Sequence, residues 1–398
     1  MSLIYPYFNK ITQKRVQQVL KSGKVNYWTG NECKNFEKEF SNYIGNKYAV
    51  TVSNGSIALE LALKALRLKA RDEIIVSPRS FIISASCVLN LGLKPIFADV
   101  DDNGNLNIDQ IKKIYNKNVK AIIVVHLNGL PCDMDPIVRF VKNKKIFLIE
   151  DCSQAHGAIY KGNKVGSFGH ISTWSFCQDK IISTGGEGGM VSTNNKKLWI
   201  KLWSLKDHGK NFNSVFFKNH KTGFKWLHDD LGSNYRMTEL QATIGREQLK
   251  SLDKQIKKRN LIANFYLNGL KDYYKKYNII NKPDFKCQKC PLKQFNKACN
   301  KCRHAFYRLN LFVNIKKIKQ YRLIELLNKN KITCFVGSCP EIYREKIFRK
   351  FKFYPKKRLS NAKLLGEKSL MFPIYPNKAL KKIKSEINTI KKILDKFV

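Results

Sequence analysis

The sequence lacks long apolar runs: none of its 398 residues lies in a stretch approaching the roughly 20 apolar residues that a membrane-spanning helix requires. Its first residues, MSLIYPYFNKITQKR, also lack the basic start and apolar stretch of a signal peptide. Glycine (22) and proline (11) are too few for a collagen-like or low-complexity chain. We therefore expect a soluble, cytoplasmic globular protein with no membrane partner.

Acidic residues are scarce: 30 Asp and Glu stand against 74 Lys and Arg, which gives a formal net charge of +44. A strong positive charge is typical of proteins that bind nucleic acids. However, arginine, whose planar fork suits phosphate and base recognition, accounts for only 14 of these 74 residues, and no helix-turn-helix or RRM signature is present. We therefore expect anionic small molecules, and not nucleic acid, as the main partners.

Cysteine is abundant by comparison. The chain has 11 cysteines, and four of them follow the pattern C-x2-C-x8-C-x2-C: Cys287, Cys290, Cys299 and Cys302. Disulfides are disfavoured in a chain without a secretion signal, whereas paired C-x2-C knuckles are typical of a tetrahedral zinc site. We predict a structural zinc ion on these four residues. The alternative is a surface loop with four unligated cysteines.

Residues 1–249 alternate strand-like and helix-like segments. Continuous apolar strands such as AIIVV and IFLIE are separated by amphipathic helices, and this pattern predicts a mostly parallel sheet covered on both faces. From about Leu249 a long amphipathic helix leads into the remaining chain, which contains a cysteine-rich insertion at 284–304. We predict an α/β protein with a large domain, 1–249, that includes an N-terminal arm, and a smaller α+β domain, 250–398.

Ligands of parallel sheets bind beyond the carboxyl ends of the strands. Three polar residues fall there: Asp151 ends IFLIED, Ser175 ends HISTWS, and Lys180 lies in the turn that follows. The segment Asn54-Gly55-Ser56 opens a helix after a strand and offers backbone N–H groups to a phosphate. A lysine for a Schiff base, a carboxylate for a pyridinium nitrogen and a phosphate cradle are what pyridoxal 5'-phosphate (PLP) requires.

The sequence resembles the DegT/StrS family of PLP-dependent sugar aminotransferases, which have the aspartate-aminotransferase (type I) fold. The matching segments follow the family's order over most of residues 28–260: WTGNECKNFEKEF, SNGSIALELALKAL, IEDCSQAHGA, VGSFGHISTWSFCQDKIISTGGEGGMVST, DHG and LGSNYRMTELQATIGREQL. A weaker match ends in MFPIYP. The resemblance implies a large PLP-binding domain with a mostly parallel central sheet, a smaller C-terminal domain, and a homodimer with shared active sites.

The resemblance also implies a role for each matching residue. Lys180 corresponds to the catalytic lysine that forms the Schiff base, and Asp151 to the carboxylate that keeps the pyridine nitrogen protonated. The remaining implied cofactor contacts are Gly55, Ser56 and Ser175 at the phosphate, Gln154 near the phenolic oxygen, Phe81 over the ring face, and Asn234 at the phosphate of the partner subunit's site.

Some of these residues have structural alternatives. The alternative for Phe81 is a place in the apolar core, and the alternative for Asn234 is to cap the helix in MTELQATIG. His156 and His208, in the AHG and DHG segments, are expected to be structural and not acid–base groups. The chain departs from the family pattern at Ser56, where threonine is usual, in the Phe-Cys-Gln-Asp segment before Lys180, and in FVGSCPEIYREK, where many members carry a histidine-containing loop.

The resemblance implies transfer of an amino group, donated by glutamate, to a nucleotide-linked keto-sugar for cell-surface polysaccharide or related sugar biosynthesis. Two alternatives stay open. One is a PLP-dependent sugar dehydratase, although such relatives carry histidine in place of the lysine at 180. The other is a regulatory or nucleic-acid-binding protein that kept the fold. The departures from the pattern leave open which sugar, which ring carbon and which nucleotide are involved.

Overall fold

The computed structural model describes residues 5–277, 280–281 and 302–397. Within these ranges the strands are β1 (Tyr48–Val52), β2 (Glu73–Val76), β3 (Lys94–Phe97), β4 (Val119–Val125), β5 (Phe147–Asp151), β6 (Ile159–Tyr160), β7 (Asn163–Lys164), β8 (Ile171–Ser175), β9 (Gly189–Thr193), β10 (Ile280–Asn281), β11 (Arg308–Val313) and β12 (Ser369–Pro373). The helices are α1 (Lys10–Ser22), α2 (Glu32–Ile44), α3 (Gly55–Ala65), α4 (Ile83–Asn90), α5 (Ile108–Ile114), α6 (Met134–Lys144), α7 (Lys196–Lys206), α8 (Phe212–Phe216), α9 (Glu239–Gly269), α10 (Lys271–Lys275), α11 (Gln320–Lys329), α12 (Lys346–Lys350), α13 (Ser360–Lys368) and α14 (Leu380–Leu394).

A seven-stranded sheet organises the first part of the chain, in the order β1-β9-β8-β5-β4-β2-β3. The five strands from β8 to β3 pair in parallel, and β9 is antiparallel to both of its neighbours. Strands β4 and β5 are almost wholly buried because apolar clusters cover both faces of the sheet. The predicted α/β fold with a mostly parallel central sheet is confirmed.

A second, antiparallel sheet, β10-β11-β12, forms later in the chain. It packs with α11, α14 and the second half of α9 around a separate apolar core. Helix α9 begins at Glu239, after a capping box formed by Thr238 and Gln241, so the helix expected in MTELQATIG and the one expected from about Leu249 are a single helix. The predicted boundary at 249 and 250 falls inside this helix, and the division into two domains stays a prediction.

The carboxylate of Asp99, just beyond β3, connects the large sheet to α13. It accepts hydrogen bonds from the backbone N–H groups of Asn361 (3.0 Å) and Ala362 (2.9 Å) in the first turn of that helix. These N–H groups have no partner within the helix, and negative charge is favourable there because the dipole of the helix is positive at this end. The contact fixes the later part of the chain against the carboxyl ends of the parallel strands.

Among the described residues, no helix combines the length and the apolar character that a bilayer crossing needs. The longest, α9, has 31 residues but carries charged residues along its length.

Candidate active site

One cavity of about 610 Å³ opens at the carboxyl ends of β5 and β8, and its volume is typical of small-molecule sites. Seven of the eight predicted cofactor contacts line this cavity: Gly55, Ser56, Phe81, Asp151, Gln154, Ser175 and Lys180. These residues come from four separate stretches of the sequence, so their convergence is a result of the fold. The eighth, Asn234, is exposed and is not among the residues that line the cavity of its own chain.

The N-terminus of α3 forms one corner of the cavity. The side chain of Asn54 caps the helix by accepting a hydrogen bond from the N–H of Ile57 at 2.9 Å. A Cβ atom on Gly55 would lie 2.6 Å from the Cβ of Ser175, so only glycine allows the helix to approach β8 this closely. The first N–H groups of α3 have no partner within the helix and carry partial positive charge, which suits a phosphate group.

Asp151 is 4% exposed and is held by two hydrogen bonds. Its Oδ2 accepts from the hydroxyl of Ser84 at 2.9 Å, and its Oδ1 accepts from the backbone N–H of Ser153 at 3.1 Å. The Ser84 hydroxyl also contacts that of Ser80 at 2.9 Å, and Ser80 lines the cavity. The sequence reasoning missed Ser84 because it is 67 residues from Asp151 and lies in an apolar helical segment.

Glu150 precedes Asp151 on β5 and lies on the opposite face of the sheet. Its carboxylate is 3.1 Å from Nε2 of His126 and accepts three backbone hydrogen bonds, from the N–H groups of Gly166, Phe168 and Gly169. Among the described residues, Glu150, His126 and Cys152 are close enough to share a metal ion. However, His126 Nδ1 also accepts from the N–H of Cys132 at 3.1 Å. We interpret this cluster as a buried hydrogen-bond network that fixes the end of β5.

The side chain of Lys180 lies against two polar groups. Its Nζ is 3.0 Å from Oδ1 of Asp179 and 3.3 Å from the hydroxyl of Tyr307. Burial lowers the pKa of Lys180, but Tyr307 and Asp179 raise it by more, so this pKa lies above the usual lysine range. The sequence reasoning missed Tyr307, which is 127 residues from the lysine and lies just before β11.

Tyr5, in the N-terminal arm, holds the backbone of the lysine turn. Its hydroxyl donates to the carbonyl of Lys180 and accepts from the guanidinium of Arg259 at 2.8 Å. The Tyr5 ring also packs against Tyr375 with centroids 4.9 Å apart. Three distant parts of the chain therefore meet behind Lys180, and none of these contacts has a sequence signature.

The structure resolves the alternatives for Phe81 and Asn234. The Phe81 side chain is 66% exposed and lines the cavity just before α4, so the core alternative is wrong. The N-cap of α9 is Thr238, so the cap alternative for Asn234 is also wrong. Gln154 is buried, and its side-chain oxygen accepts a 2.7 Å hydrogen bond from the N–H of Asn128.

The two histidines differ in environment. The His156 ring is fully buried and packs against Trp174 and Phe176, with centroids 5.3 and 5.6 Å away. Burial, together with the positive charges of Lys180 and Arg259, lowers the pKa of His156 to about 3. Its imidazole is therefore neutral at physiological pH. His208 is exposed, with a positive backbone φ of 57°.

Of the four predicted zinc ligands, Cys287, Cys290 and Cys299 lie outside the described residues. Cys302 is buried, and its Sγ accepts a hydrogen bond from the backbone N–H of Lys161 at 3.3 Å. The next residue, Arg303, pairs with Ile159 in an isolated bridge. Cys302 therefore lies beside the β6–β7 hairpin.

The chain is similar to known proteins over nearly its whole length. A model of the DegT/DnrJ/EryC1/StrS aminotransferase family matches residues 6–391. The crystal structure of an aminotransferase from Psychrobacter cryohalolentis superposes with a TM-score of 0.93 and 42% identity, covering 99% of each chain.

Two relatives carry more specific names. The GDP-perosamine synthase of Escherichia coli O157:H7 is 41% identical over 242 residues, which are 61% of this chain and 64% of that protein. The E. coli GDP-4-keto-6-deoxy-D-mannose-3-dehydratase, whose structure holds hydrated PLP, is 26% identical with a TM-score of 0.84 and covers 98% of this chain and all of the other.

The residues present fit PLP. Asp151 is a buried carboxylate, held by two hydrogen bonds at the cavity. Three further groups line the same cavity. They are Lys180, the N-terminus of α3, where Gly55 leaves no space for a Cβ, and the exposed ring of Phe81. Each group of the cofactor, namely the aldehyde, the pyridine nitrogen, the phosphate and the ring face, therefore has a chemically matched residue within one cavity.

We expect Asp151→Asn to bind PLP but to lose transamination severely, because a neutral amide cannot keep the pyridine nitrogen protonated. Ser84→Ala should weaken cofactor binding by up to about tenfold, because it removes one of the two hydrogen bonds that orient the Asp151 carboxylate. Titration with PLP followed by absorbance, and the rate of reaction with glutamate, measure the two effects. Wild-type turnover in Asp151→Asn would show that another acid serves the cofactor ring.

Proposed function

The chain belongs to the DegT/DnrJ/EryC1/StrS aminotransferase family, and from this premise we propose that it is a PLP-dependent aminotransferase that transfers an amino group from glutamate to a nucleotide-linked keto-sugar. The observation that carries the proposal is the meeting of Lys180, Asp151 and the N-terminus of α3 in one cavity. The identity of 41% to a GDP-perosamine synthase supports a nucleotide sugar as the acceptor. The net charge of +44 suits an anionic diphosphate.

PLP, when bound, supplies an electron sink for the negative charge that develops on a carbon atom as it loses a proton. The carboxylate of Asp151 would pair with the pyridine nitrogen, and its hydrogen bonds with Ser84 and Ser153 keep it in one orientation. The N–H groups at the start of α3 and the hydroxyl of Ser175 would bind the phosphate. The ring of Phe81 lines the cavity and would lie over one face of the cofactor ring.

Lys180 has two tasks. Its Nζ would hold the cofactor covalently before the donor arrives. Once released from that bond, Nζ would carry a proton from the α-carbon of the donor to the C4' carbon of the cofactor, and in the second half of the reaction from C4' to the sugar carbon. One side chain can act as base and then as acid because the proton that Nζ removes from one carbon is the proton that it delivers to the other.

The alternative functions have less support. The matched dehydratase is 26% identical over 98% of the chain, whereas the Psychrobacter cryohalolentis aminotransferase is 42% identical over 99% of it. The chain also has lysine at position 180, where the dehydratases of the family are expected to carry histidine. A regulatory or nucleic-acid-binding role would not require the lysine, the carboxylate and the helix N-terminus to line one cavity.

We also propose that the protein acts as a homodimer in which Asn234 contacts the phosphate in the partner subunit. Asn234 is exposed and outside the cavity of its own chain. The preceding loop exposes four large apolar side chains, each more than three quarters accessible: Phe217, Phe224, Trp226 and Leu231. Such a surface is typical of a protein–protein contact, and a second copy would cover it while bringing Asn234 to the other cavity. The cytoplasmic location stays a prediction from the sequence.

Lys180→Ala should abolish transamination and the absorbance of the covalently bound cofactor, because no other residue replaces the amine. The fold should be retained, since this side chain contributes few contacts beyond Asp179 and Tyr307. Circular dichroism and thermal unfolding check the fold, and a coupled assay with glutamate and nucleotide keto-sugars checks the activity. Turnover near that of the wild type would contradict the proposal.

Mixed dimers test the role of Asn234. Neither Lys180→Ala nor Asn234→Ala should be active alone at a limiting cofactor concentration. A heterodimer of the two should regain one intact site, because one cavity then combines Lys180 of one subunit with Asn234 of the other. Differently tagged subunits allow the heterodimer to be purified and assayed. A purified heterodimer without activity would place Asn234 in the site of its own subunit.

The spacing of Cys287, Cys290, Cys299 and Cys302 carries the separate proposal of a structural zinc ion. We expect elemental analysis to find about one zinc per chain. The double variant Cys287→Ser, Cys302→Ser should lose the metal and unfold at lower temperature, whereas Cys339→Ser, outside the motif, should keep it. Metal-free wild-type protein of undiminished stability would remove the zinc proposal and would leave the aminotransferase proposal unchanged.

A further inference from the structure

Asp179 occupies the position directly before the cofactor lysine, in the Phe-Cys-Gln-Asp segment that departs from the family pattern. Its carboxylate has three partners. Oδ1 contacts Nζ of Lys180 at 3.0 Å, and Oδ2 accepts from the hydroxyl of Tyr307 and lies 3.4 Å from the guanidinium of Arg308. The aminotransferase chemistry described above assigns no task to this carboxylate, although it contacts the central amine.

Asp179 is ionised in this setting. Burial raises the pKa of Asp179, but Lys180, Tyr307 and Arg308 lower it by more, so it lies below the usual aspartate range. Tyr307 remains a neutral phenol, because burial raises the pKa of its hydroxyl. The negative charge beside Nζ at neutral pH is therefore that of Asp179. The Asp179 side chain is 47% exposed, so solvent screens its interaction with Lys180 in part.

Tyr307 and Arg308 attach this carboxylate to the later part of the chain. The guanidinium of Arg308 lies 4.4 Å from the centre of the Tyr307 ring, and the Tyr307 hydroxyl bonds Asp179 on one side and Lys180 on the other. A carboxylate with three partners has fewer accessible rotamers than a free one, so its position relative to Nζ is well defined.

We propose that Asp179 is a positioning residue that, together with the Tyr307 hydroxyl, holds the free Nζ of Lys180 as an ammonium at the wall of the cavity. The inference rests on the proposed function, because it assumes that Lys180 is the residue that links to PLP. It extends that function because Asp179 then sets the balance between two protonation states of the Lys180 side chain. One is the ammonium held by Asp179, and the other is the neutral amine that can bond to the cofactor.

Other titratable or charged groups also face Lys180, and a measured pH dependence would include any of them that changes its charge in the same pH range. On its own turn these are Cys177 and Glu187, and from other elements they are Tyr5, Asp151, His156, Arg259, Tyr307 and Arg308. Burial raises the pKa of Cys177, and His156 is neutral above a pH of about 3. Among these described groups, Asp179 is the carboxylate in direct contact with Nζ.

The covalent step has a defined proton balance. The ammonium first releases a proton to solvent, then the neutral Nζ forms a bond to the aldehyde carbon of PLP, and the aldehyde oxygen leaves as water. Because only the neutral amine reacts, the observed rate at a given pH follows its fraction. A raised pKa of Lys180 therefore slows covalent capture below that pKa, and the limitation disappears as the pH rises through it.

The test mixes the full-length, cofactor-free protein with PLP over a range of pH and follows the absorbance of the covalently bound cofactor by stopped flow. Asp179→Asn keeps the shape of the side chain and one acceptor oxygen but removes its charge. We expect the pH midpoint for capture to fall by about one unit, which makes capture about tenfold faster below the midpoint. Asp179→Glu, which retains the carboxylate, should stay closer to the wild type.

Asp253→Asn is a matched control, because Asp253 also accepts from a tyrosine, Tyr43 at 3.0 Å, and pairs with an arginine, Arg303 at 2.9 Å, outside the cavity. Its capture midpoint should equal that of the wild type. If Asp179→Asn captures PLP with an unchanged midpoint, or with a raised one, the inference is wrong and the proposed function stands. If the wild type shows no covalent absorbance, or if Lys180→Ala retains it, the proposed function itself fails.

Discussion

The close approach of α3 to β8 and β9 is the constraint on which the cavity depends. A Cβ on Gly55 would meet Ser175, and a Cβ on Gly189 would meet the backbone of Asn54. Two glycines at facing positions thus allow a helix N-terminus to reach the end of the sheet. The positive end of the helix is then aligned with the strand ends that carry Asp151 and the Lys180 turn. A side chain at either glycine would force the helix away from the strands and separate the N-terminus of α3 from Lys180.

Alternation along β5 explains how the same strand supports both stability and chemistry. Side chains on a strand point to opposite faces in turn, so Glu150 and Asp151 have different environments. Glu150 is buried among backbone N–H donors and fixes the strand, whereas Asp151 borders the cavity with its oxygens held by Ser84 and Ser153. The lysine turn is fixed in the same manner from outside the sheet, by Tyr5 on its backbone and by Tyr307 on its side chain.

Local patterns predicted much of this arrangement. Apolar runs and helical periodicity indicate the parallel sheet, and the rule that ligands bind at carboxyl ends singles out Asp151, Ser175 and Lys180 before any contact is known. Ser84, Tyr5 and Tyr307 were missed because their contacts join residues 67, 175 and 127 positions apart, which no local pattern encodes. The sequence indicates one helix in MTELQATIG and another from about Leu249, and no local pattern showed that the two are continuous in α9.

The central claim is that Lys180, one of 60 lysines in the chain, is the residue that holds the cofactor. Its most direct test is reduction of the PLP-loaded protein with borohydride, followed by protease digestion and mass spectrometry of the peptides. Borohydride converts the covalent link into a stable pyridoxyl-lysine, so the labelled residue can be read from the fragment masses. We predict a single pyridoxyl group on Lys180. A label on any other lysine, or no label in protein that is saturated with PLP, would contradict this account.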